Sequence, residues 1–592
     1  MNSLSLLITV LIYIVNTCHA VNFKVICSPQ DYGGTSVSVN IDGKSYPMQS
    51  ANNDILFELK FDGTPKQYYY EITGTIQNEL PLIDNTPRTW DQGSTTTFYE
   101  VYGHKYSLGD DIIKAIPRIA QPLEGYDKYS PLFQEGELRV INLHLKDTDY
   151  TQLITMTQKQ TLNYIIEFDL YTPYEKYHFT NATLDLSGQG SKNDEKKPFK
   201  IDLSKNEADK SNSEIFNRSE FKLRNLRNDE SYIKNKLVED IAESMGLPVT
   251  QSTLCRLYIN NNSYGLYELS DMYKKKFIRR FFNVQKNGDG YVYGSFYKGV
   301  SQTNEQDKNI PAYLYPDMEG ANIAELYESI VPADPANPHA ELNNLISWLN
   351  ALPDNASKEE IESKFDVEMF LKFMVLEYLI CHWDGYLGNG NNFFIYAEPN
   401  NGKYHFISYD FDSTLGKWCN SKEGNIDQYV TDVVDVEDRA YGNQPKREPL
   451  LYRKILKNPN IEPMFNEIVK ETISGVFNIE ALGPRIDYFH EFLKQDMYWD
   501  IDCLTNGSIK TKGFNKDKEL PVKADIDKQF VEESPDTETL KAYIKYKSTK
   551  VGEIYGVTSK NTNNKFGTVG GKLMTIGKAK EENDKDSDKK NN

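Results

Sequence analysis

One stretch of the chain, residues 382–416, constrains the fold more than any other. The segment before it, 365–380, carries apolar residues at helical spacing and predicts an amphipathic helix that ends where the stretch begins. Within the stretch, two alternating segments flank a turn rich in Pro, Asn and Gly at 393–409, which is typical of a β-hairpin. The sequence therefore predicts a helix, a polar loop, and a hairpin that ends on Asp410 and Asp412.

The spacing of polar residues in this stretch is that of a phosphoryl-transfer site. His382, Asp384 and Asn389 follow the H-x-D-x4-N pattern of a protein-kinase catalytic loop, in which the Asp accepts the substrate hydroxyl proton and the Asn holds a magnesium ion. Asp410 takes the place of the metal-binding Asp of the D-F-G motif, and Asp412 is a second acid beside it. Because hard cations prefer oxygen ligands, the pattern predicts a site for ATP with Mg²⁺ or Mn²⁺.

The spacing leaves the identity of the metal-binding asparagine open. Asn391 and Asn392 lie closer to the predicted strand than Asn389 does, and they could supply the same amide. Asp and Asn are also common in turns because they bond their own backbone, so acids in such a loop also occur without any chemistry. Asp384 is therefore assigned more firmly than its amide partner.

A phosphate-binding segment is predicted upstream of this stretch. Residues 187–191 read Ser-Gly-Gln-Gly-Ser, a glycine-bearing turn, and Lys196 and Lys197 come just before a strand that begins near Phe199. A glycine turn followed by a lysine-bearing strand is how a protein kinase covers and holds phosphates. We favour Lys196 as the phosphate contact, with Lys197 as the alternative. The non-functional alternative is that these lysines are simply exposed to solvent.

Two further elements are predicted between these segments. Residues 231–246 form a helix candidate that a Gly and a Pro terminate, and its position corresponds to kinase helix αC. Glu239 or Glu243 on this helix could pair with the strand lysine. A strand-turn-strand follows at 254–269, and its Glu268 is a candidate nucleotide contact.

Several ordered motifs resemble the CotH family, which is named for a spore-coat protein kinase of bacteria and also includes secreted or surface proteins of fungi. The matching motifs are Asp384-Gly385 after an apolar helix, Asn392-Phe393, and YDFDSTLG at 409–416. Further blocks are similar to the fungal branch of the family. They lie at 221–248, 256–273 and 489–502, and the resemblance covers about residues 130–560.

The resemblance implies a secreted atypical protein kinase that transfers the γ-phosphate of ATP to Ser or Thr of extracytoplasmic proteins. Asp384 would be the base, and the metal ligands would be Asp410 with Asn389 or Asn392. Fungal relatives are implicated in attachment to host cells, so a non-catalytic adhesin is the alternative. A glycoside hydrolase with two acids flanking a sugar is a third hypothesis, but it leaves the H-x-D-x4-N spacing unexplained.

The order of the segments predicts an α+β fold with two domains. A small β-sandwich at 21–110 is expected from short alternating segments separated by turn residues. A Pro-containing linker at 111–136 leads to a bilobal kinase-like domain at 137–556. From 557 to 592, Lys, Asn, Asp and Gly dominate and aromatic residues are almost absent, which predicts a disordered tail.

The N-terminus and the charge indicate a secreted acidic protein. Residues 1–20 have the apolar core and small final residue of a signal peptide, and no later stretch is long and apolar enough to predict a transmembrane segment. The net charge of −19 argues against a nucleic-acid partner, which needs basic patches. We expect a monomer whose partner is a protein substrate or a surface protein of a host or cell wall.

In an oxidising compartment, the five cysteines that remain after signal-peptide cleavage allow up to two disulfides and leave one thiol, and one possible pair lies near the candidate site. No C-x-x-C occurs, which disfavours zinc ribbons and thioredoxin chemistry. Cys381 and Cys419 bracket the stretch 382–416, and a bond between them would brace its two ends. Glycosylation sequons also fit secretion, and they lie at Asn181, Asn217, Asn261, Asn355 and Asn506.

Overall fold

A computed structural model describes the following residues: 20–74, 87–104, 113–127, 130–158, 160–205, 212–288, 290–305, 308–316, 322–399, 401–419, 421–434, 448–514, 519–534, 537–558 and 565–571. The predicted signal peptide up to residue 19 and most of the predicted tail lie outside these residues. Helices and strands are mixed along the chain, which confirms the α and β content of the predicted fold. The chain divides into two compact units, Met1–His104 with Tyr171–Lys176, and Lys105–Leu170 with Tyr177–Asn592.

The first unit contains two four-stranded sheets. Its strands are β1 (Ala20–Ile26), β2 (Ser36–Ile41), β3 (Lys44–Pro47), β4 (Gln49–Ser50), β5 (Leu56–Asp62), β6 (Gln67–Thr73), β7 (Arg88–Thr89) and β8 (Glu100–Val101). The sheet orders are β4-β5-β1-β8 and β3-β2-β6-β7. Alternate residues of a strand lie on one face, and those of β1 and β2, such as Phe23 and Val37, meet in one hydrophobic core.

The second unit begins with a closed seven-stranded barrel. Its early elements are β9 (Ile116–Pro117), β10 (Arg139–His144), α1 (Asp147–Thr155), β11 (Tyr164–Tyr171), β12 (Lys176–Leu186), β13 (Phe199–Asp202), β14 (Glu220–Arg224), α2 (Lys234–Ser244), β15 (Ser252–Ile259) and β16 (Asn262–Ser270). The barrel order is β10-β11-β12-β13-β14-β16-β15, and β10 closes it by pairing parallel to β15. Leu143, Phe168 and Leu223 are among the side chains that fill its core.

A second sheet carries the hairpin of the 382–416 stretch. The remaining strands are β17 (Gln285–Asn287), β18 (Gly290–Val292), β19 (Ser295–Gly299), β20 (Gln302–Thr303), β21 (Asn309–Ile310), β22 (Tyr327–Val331), β23 (Phe393–Ala397), β24 (Tyr404–Ser408) and β25 (Thr568–Val569). The sheet order is β22-β19-β23-β24, and the antiparallel pairing of β23 with β24 confirms the predicted hairpin. Strand β25, inside the predicted tail, pairs with β9.

The remaining helices follow the barrel in the chain. They are α3 (Lys275–Phe281), α4 (Ile323–Leu326), α5 (Ala340–Ala351), α6 (Lys358–Glu362), α7 (Val367–Ile380), α8 (Tyr386–Asn389), α9 (Ile426–Val434), a π-helix at Tyr452–Leu456, α10 (Glu462–Gly475), α11 (Ile479–Thr505), α12 (Lys523–Gln529) and α13 (Leu540–Tyr555). In the described part of the chain, no helix combines the length and apolar character that crossing a membrane needs.

Helix α7 is the predicted helix before the candidate site, but the expectation that it is amphipathic was wrong. Its residues are apolar on almost every side and nearly all buried, as expected for a helix inside a core. The Asp366 side chain caps it by accepting a hydrogen bond from the Met369 N–H at 3.2 Å. Cys381 then takes a left-handed backbone conformation, which ends the helix and turns the chain toward the polar loop.

Candidate active site

The carboxylate of Asp384 lies in a cage of three asparagine amides. Asn389 Nδ2 donates to its Oδ1 at 2.8 Å, and Asn392 Nδ2 donates to its Oδ2 at 2.7 Å. Asn391 Nδ2 lies 3.1 and 3.2 Å from the two oxygens. Burial raises the pKa of Asp384 to about 6 against the effect of these donors, with help from the charges of Asp410 and Asp412. The carboxylate is thus presented as a proton acceptor.

The three asparagines differ in the hydrogen-bond partners of their amide oxygens. The oxygen of Asn389 accepts from Asn309 Nδ2 at 2.7 Å, and the oxygen of Asn391 accepts from the Ser301 N–H at 3.1 Å. Among the described residues, no side chain or backbone donor lies on the amide oxygen of Asn392, which lines the cleft described below. Of the two predicted metal-binding asparagines, Asn392 therefore has the better-placed ligand atom.

The acid pair follows directly after β24. Arg224 Nη2 donates to the Asp410 carboxylate and lies 3.0 Å from Asp412 Oδ2. Burial disfavours ionisation of both acids, but Arg224 and Lys222 outweigh it at Asp410 and hold that pKa well below its usual range. Burial and the charge of Asp410 instead raise the pKa of Asp412. The two acids are therefore distinct in charge behaviour although they lie two residues apart.

His382 ties the polar loop to the acid pair. Its Nε2 lies 3.0 Å from the backbone carbonyl oxygen of Asp410. Burial lowers the pKa of His382 to about 4, so the ring is neutral and donates its Nε2 proton to that carbonyl. Asp410 itself has a left-handed backbone with φ of 66°, a conformation that a non-glycine residue keeps only when its neighbours hold it.

Glu377 braces the same loop from the end of α7. Its carboxylate accepts from the Leu387 N–H at 3.0 Å and from Ser408 Oγ at 2.8 Å, and burial raises its pKa to about 7. A Cβ on Gly385 would lie 2.6 Å from His382 Nδ1 and 2.9 Å from Glu377 Oε2, so only glycine fits there. The sequence interpretation missed Glu377, whose one signal is a carboxylate in an apolar helix.

A cleft of about 730 Å³ joins these acids to a basic wall. Asp384, Asp410 and Asp412 line it, and so do the predicted glycine turn and five basic side chains: Lys200, Lys222, Arg224, Lys274 and Lys298. The first three of these side chains form the basic wall. Lys200 on β13 lies directly opposite Lys222 on β14, and Arg224 is two residues further along, so all three share one face. Burial and neighbouring Arg224 lower the pKa of Lys222 to about 8.

Lys196 does not line this cleft. Its fully buried ammonium forms a salt bridge with Asp500 Oδ1 at 2.6 Å and donates to the Leu266 carbonyl at 2.5 Å. Lys197 donates to the Lys192 carbonyl at 3.0 Å. Both residues precede β13, and their ammonium groups bind partners inside the protein. The residues that face the cleft are Lys222 and Arg224, and their alternation on β14 is the sequence signal for it.

Glu268 lies behind the basic wall. Its carboxylate is buried, lies 3.4 Å from Arg224 Nε, and accepts from Asn235 Nδ2 at 2.6 Å. It is not among the residues that line the cleft. Of the predicted residues, Asp384, Asn392, Asp410 and Asp412 line the cleft, and Asn389 contacts Asp384 without lining the cleft. Lys196 and Glu268 lie outside the cleft.

The acids of helix α2 do not pair with Lys196. Glu239 accepts from Thr250 Oγ1 at 2.8 Å and from Ser252 Oγ at 2.6 Å, and Glu243 pairs with Arg118 at 2.6 Å. Burial and the charge of Glu268 raise the pKa of Glu239 to about 8. The expected lysine–glutamate pair of a kinase is therefore absent between these residues, because Lys196 is satisfied by Asp500 on α11.

A disulfide joins the two ends of the stretch. Cys381 and Cys419 are bonded, with their Cα atoms 5.7 Å apart, so the pair considered from the sequence is present. The loop that it closes holds Asp384, Asp410 and Asp412. The other cysteines of the described chain, Cys27, Cys255 and Cys503, are buried thiols.

The donor set fits a small divalent cation bound together with phosphates. In the described chain, no three His, Cys, Asp or Glu side chains are grouped as a complete metal cage. Mg²⁺ needs no such cage, because it commonly uses one or two carboxylates together with water and substrate phosphates. Asp410, Asp412 and the amide oxygen of Asn392 provide such a partial set of oxygens.

These features together define a kinase-like protein. They are the loop acid Asp384 with its amide contacts, the acid pair that follows β24, and the basic wall with the glycine turn. The family described as CotH kinase protein matches residues 184–544. The chain belongs to this family.

Curated relatives come from fungi and bacteria. Invasin CotH3 of Rhizopus delemar is 25% identical over 516 residues, which cover 82% of this chain and 77% of the relative. Invasin CotH2 of the same fungus is 27% identical over 526 residues, covering 84% and 77%. Inner spore coat protein H of Bacillus subtilis is 20% identical over 321 residues, covering 54% and 78%. The crystal structure of the Helicobacter pylori proinflammatory kinase CtkA is a distant match, with a TM-score of 0.22, 11% identity and coverage of 57% and 89%.

Proposed function

We propose that this chain is a secreted atypical protein kinase that transfers the γ-phosphate of ATP to Ser or Thr of extracytoplasmic or secretory-pathway proteins. The observation that carries the proposal is the cleft in which Asp384 and the pair Asp410 and Asp412 lie beside Lys222 and Lys200. Membership of the CotH kinase family supports it. A bilobal kinase-like arrangement, a cleaved signal peptide and a monomeric state are parts of the same proposal.

Asp384 is the proposed base. Three amide N–H groups point at its oxygens, so they fix the carboxylate and leave it only the role of acceptor. Its raised pKa makes it a stronger base than an ordinary aspartate. A substrate hydroxyl that approaches the cleft side of this carboxylate would transfer its proton there as the oxygen attacks phosphorus.

The phosphates of ATP are assigned to the basic wall. Asp410 and Asp412, with the Asn392 amide oxygen, would hold Mg²⁺ or Mn²⁺, whose charge counters that of the phosphates when it is bound. Lys222 and Lys200 are the proposed phosphate contacts, in place of Lys196. The glycine turn at 187–191 would bring backbone N–H groups over the same region.

The glycosidase hypothesis has weaker support from the same geometry. A glycosidase needs one carboxylic acid that donates a proton to the leaving oxygen. Asp384 has donors on both oxygens, and Asp410 is held ionised by Arg224, so neither acid is placed to donate. The basic wall also favours a polyanion over a neutral sugar.

A binding protein is the second candidate function. Three curated relatives carry the name invasin, which supports attachment to a host or cell-wall surface protein. Such a protein would need the fold but neither the cage around Asp384 nor a cation that Asp410 and Asp412 would hold. Nucleotide and metal binding therefore separate the two candidates.

Thermal unfolding tests the nucleotide site. Wild type with ATP and Mg²⁺ is expected to unfold at a higher temperature than without them, because a ligand that binds only the native state stabilises it. Asp410→Ala should lose this shift, and Asp147→Ala, which removes an exposed aspartate outside the cleft, should keep it. No shift in wild type at millimolar ATP with Mg²⁺ or Mn²⁺ would overturn the kinase proposal.

Phosphate transfer tests the base. With radiolabelled ATP and a secreted protein fraction as acceptor, Asp384→Asn is expected to lower transfer roughly 100-fold or more, since a positioned base contributes about that factor. The variant should keep the ATP-dependent thermal shift, because Asp384 contacts amides and not the basic wall. A wild type that binds ATP but transfers no label under any condition would overturn the proposed phosphate transfer and leave only nucleotide binding.

A further inference from the structure

Arg224 lies among three carboxylates. Its Nη2 contacts the carboxylates of Asp410 and Asp412, and its Nε lies 3.4 Å from Glu268 Oε2. The side chain is nine-tenths buried, so these contacts are made where water screens them little. Burial disfavours the charged form, but the three carboxylates raise the pKa of Arg224 well above its ordinary value, so the guanidinium stays charged.

A second path links the same groups through helix α2. Asn235 Nδ2 donates to Glu268 Oε1 at 2.6 Å, and Asn235 Oδ1 accepts from the Phe411 N–H at 3.0 Å. Phe411 stands between Asp410 and Asp412. The contacts therefore form a closed ring from Asp410 through Arg224, Glu268 and Asn235 back to the backbone of the acid pair.

The ring has an electrostatic consequence. A divalent cation held by Asp410 and Asp412 needs the same carboxylate charge that the guanidinium of Arg224 already neutralises. Arginine does not lose its proton in proteins, so Arg224 cannot yield by becoming neutral. A cation can therefore bind only if the guanidinium moves away from the aspartates or if both positive charges share them. Glu268, on the other side of Arg224, offers an alternative anion that draws the guanidinium away from them.

We propose that Arg224 is a built-in competitor for the divalent cation at Asp410 and Asp412, and that Glu268 and Asn235 are positioning residues that set how strongly it competes. The inference rests on the assignment of the metal ligands in the proposed function. It adds a determinant of metal affinity that lies in helix α2 and strands β14 and β16, outside the acid pair itself.

The test measures Mn²⁺ binding without nucleotide, from the electron paramagnetic resonance signal of free Mn²⁺. Arg224→Gln is expected to bind Mn²⁺ about tenfold more tightly than wild type, which corresponds to the loss of one charge-assisted contact. Arg224→Lys keeps the charge and should stay near wild type. Arg227→Gln is the matched control, because Arg227 is a buried arginine three residues away that pairs with Glu195 instead.

The positioning residues are tested by changes of opposite sign. Glu268→Gln removes the anion that draws Arg224 away, so Mn²⁺ should bind roughly threefold more weakly. Asn235→Asp keeps the acceptor for the Phe411 N–H but repels Glu268, so Mn²⁺ should bind more weakly than in wild type. Asn235→Ala loses both contacts and should weaken Mn²⁺ binding further. If Arg224→Gln fails to fold, Arg224→Gln with Glu268→Gln removes both buried charges and should still bind more tightly than wild type.

The outcomes separate this inference from the proposed function. Equal Mn²⁺ affinity in wild type and Arg224→Gln would overturn the inference, even if phosphate transfer is observed. The predicted order of affinities without any phosphate transfer would support the inference and remove the kinase proposal. Absence of Mn²⁺ binding in every variant would overturn the inference together with the metal-site assignment.

Discussion

Lys196 and Lys222 differ in environment, because Lys196 is buried in a salt bridge and Lys222 lines the cleft. Lys196 is fully buried against Asp500, so replacing it leaves an uncompensated buried charge. Lys196→Met should therefore lower the free energy of unfolding by about 3–5 kcal/mol in urea titrations. A Lys196→Met protein of wild-type stability that no longer binds ATP would instead return Lys196 to the phosphate site.

Lys222→Met is the matched comparison. Lys222 lines the cleft, and burial and Arg224 already depress its pKa, so its charge contributes little to stability. The free energy of unfolding should change by about 1 kcal/mol or less. ATP affinity, measured by titration calorimetry with Mg²⁺, should fall about tenfold because a charge-assisted phosphate contact is lost.

The asparagines give a second residue-level prediction. Asn392→Ala removes the proposed amide ligand of a residue that lines the cleft, and the affinity for Mn²⁺ should fall about tenfold. Asn389→Ala removes an amide whose oxygen already accepts from Asn309, so Mn²⁺ affinity should stay within about twofold of wild type. Both variants lose one donor to Asp384, which makes each the control for the other. Equal losses would show that the Asp384 cage, and not a metal ligand, is responsible.

Sequence spacing could find Asp384 and Asp410 but could not rank their neighbours. The H-x-D-x4-N spacing is local, and the loop keeps it as a spatial cluster. Which lysine faces a cleft depends on the side of a strand and on distant partners, here Asp500 for Lys196. Glu377 and Arg224 each leave a weak local signal, but that signal does not name their partners, which lie far along the chain.

At the scale of elements, His405 fastens the hairpin to helix α7. Its Nδ1 lies 2.9 Å from Asp366 Oδ2, and its Nε2 lies 3.4 Å from Glu398 Oε2. Burial opposes protonation, but the two carboxylates outweigh it and raise the pKa of His405 above its ordinary value. The imidazolium therefore joins the cap of α7 to the turn between β23 and β24.

The pH dependence follows from the sign of that shift. A raised pKa in the folded state gives stability that is complete below the unfolded value, about 6.5, and is lost as pH rises through the folded pKa. The free energy of unfolding of wild type should exceed that of His405→Gln by about 1–3 kcal/mol at pH 6. The difference should be clearly smaller at pH 9. Urea unfolding of both proteins at the two pH values measures this. A difference that does not change with pH would contradict a protonated His405.

The disulfide is the second brace of this region. The sequence separation of 38 residues between Cys381 and Cys419 corresponds to about 4 kcal/mol of loop-closure entropy in the unfolded chain. Cys381→Ser with Cys419→Ser should lower the free energy of unfolding by about 2–4 kcal/mol. Reducing agent should bring wild type to the level of the variant and leave the variant unchanged. Sensitivity of the variant to reduction would indicate another disulfide.

Local elements were predictable, and the barrel was not. Helix α7, its Asp366 cap, the hairpin of β23 and β24, helix α2 and the antiparallel pair of β15 and β16 follow from periodicity and turn residues, and the structure confirms them. Closure of the barrel requires β10 to pair with β15 across more than a hundred residues, for which a single sequence offers no signal.

At the scale of the whole molecule, the two compact units are defined by contacts and not by sequence order. The first unit joins Met1–His104 with Tyr171–Lys176, a short segment from the turn between β11 and β12. A boundary drawn at one sequence position cannot express such a division. The residues that line the cleft all belong to the second unit, so ligand binding should act on that unit.

Amide hydrogen exchange tests this division. With ATP and Mg²⁺ at 100 times the dissociation constant, the slowest amides of the second unit should gain about 2.7 kcal/mol of protection, since the ligand binds only when its cleft is formed. The gain should reach β14, α2, α7 and β24, and amides of β1 and β2 in the first unit should exchange at unchanged rates. Asp410→Ala with the same ligands is the control that should show no gain. Protection of β1 and β2 equal to that of α7 would mean that the two units unfold as one cooperative body, because only then does a ligand of one unit stabilise the amides of both.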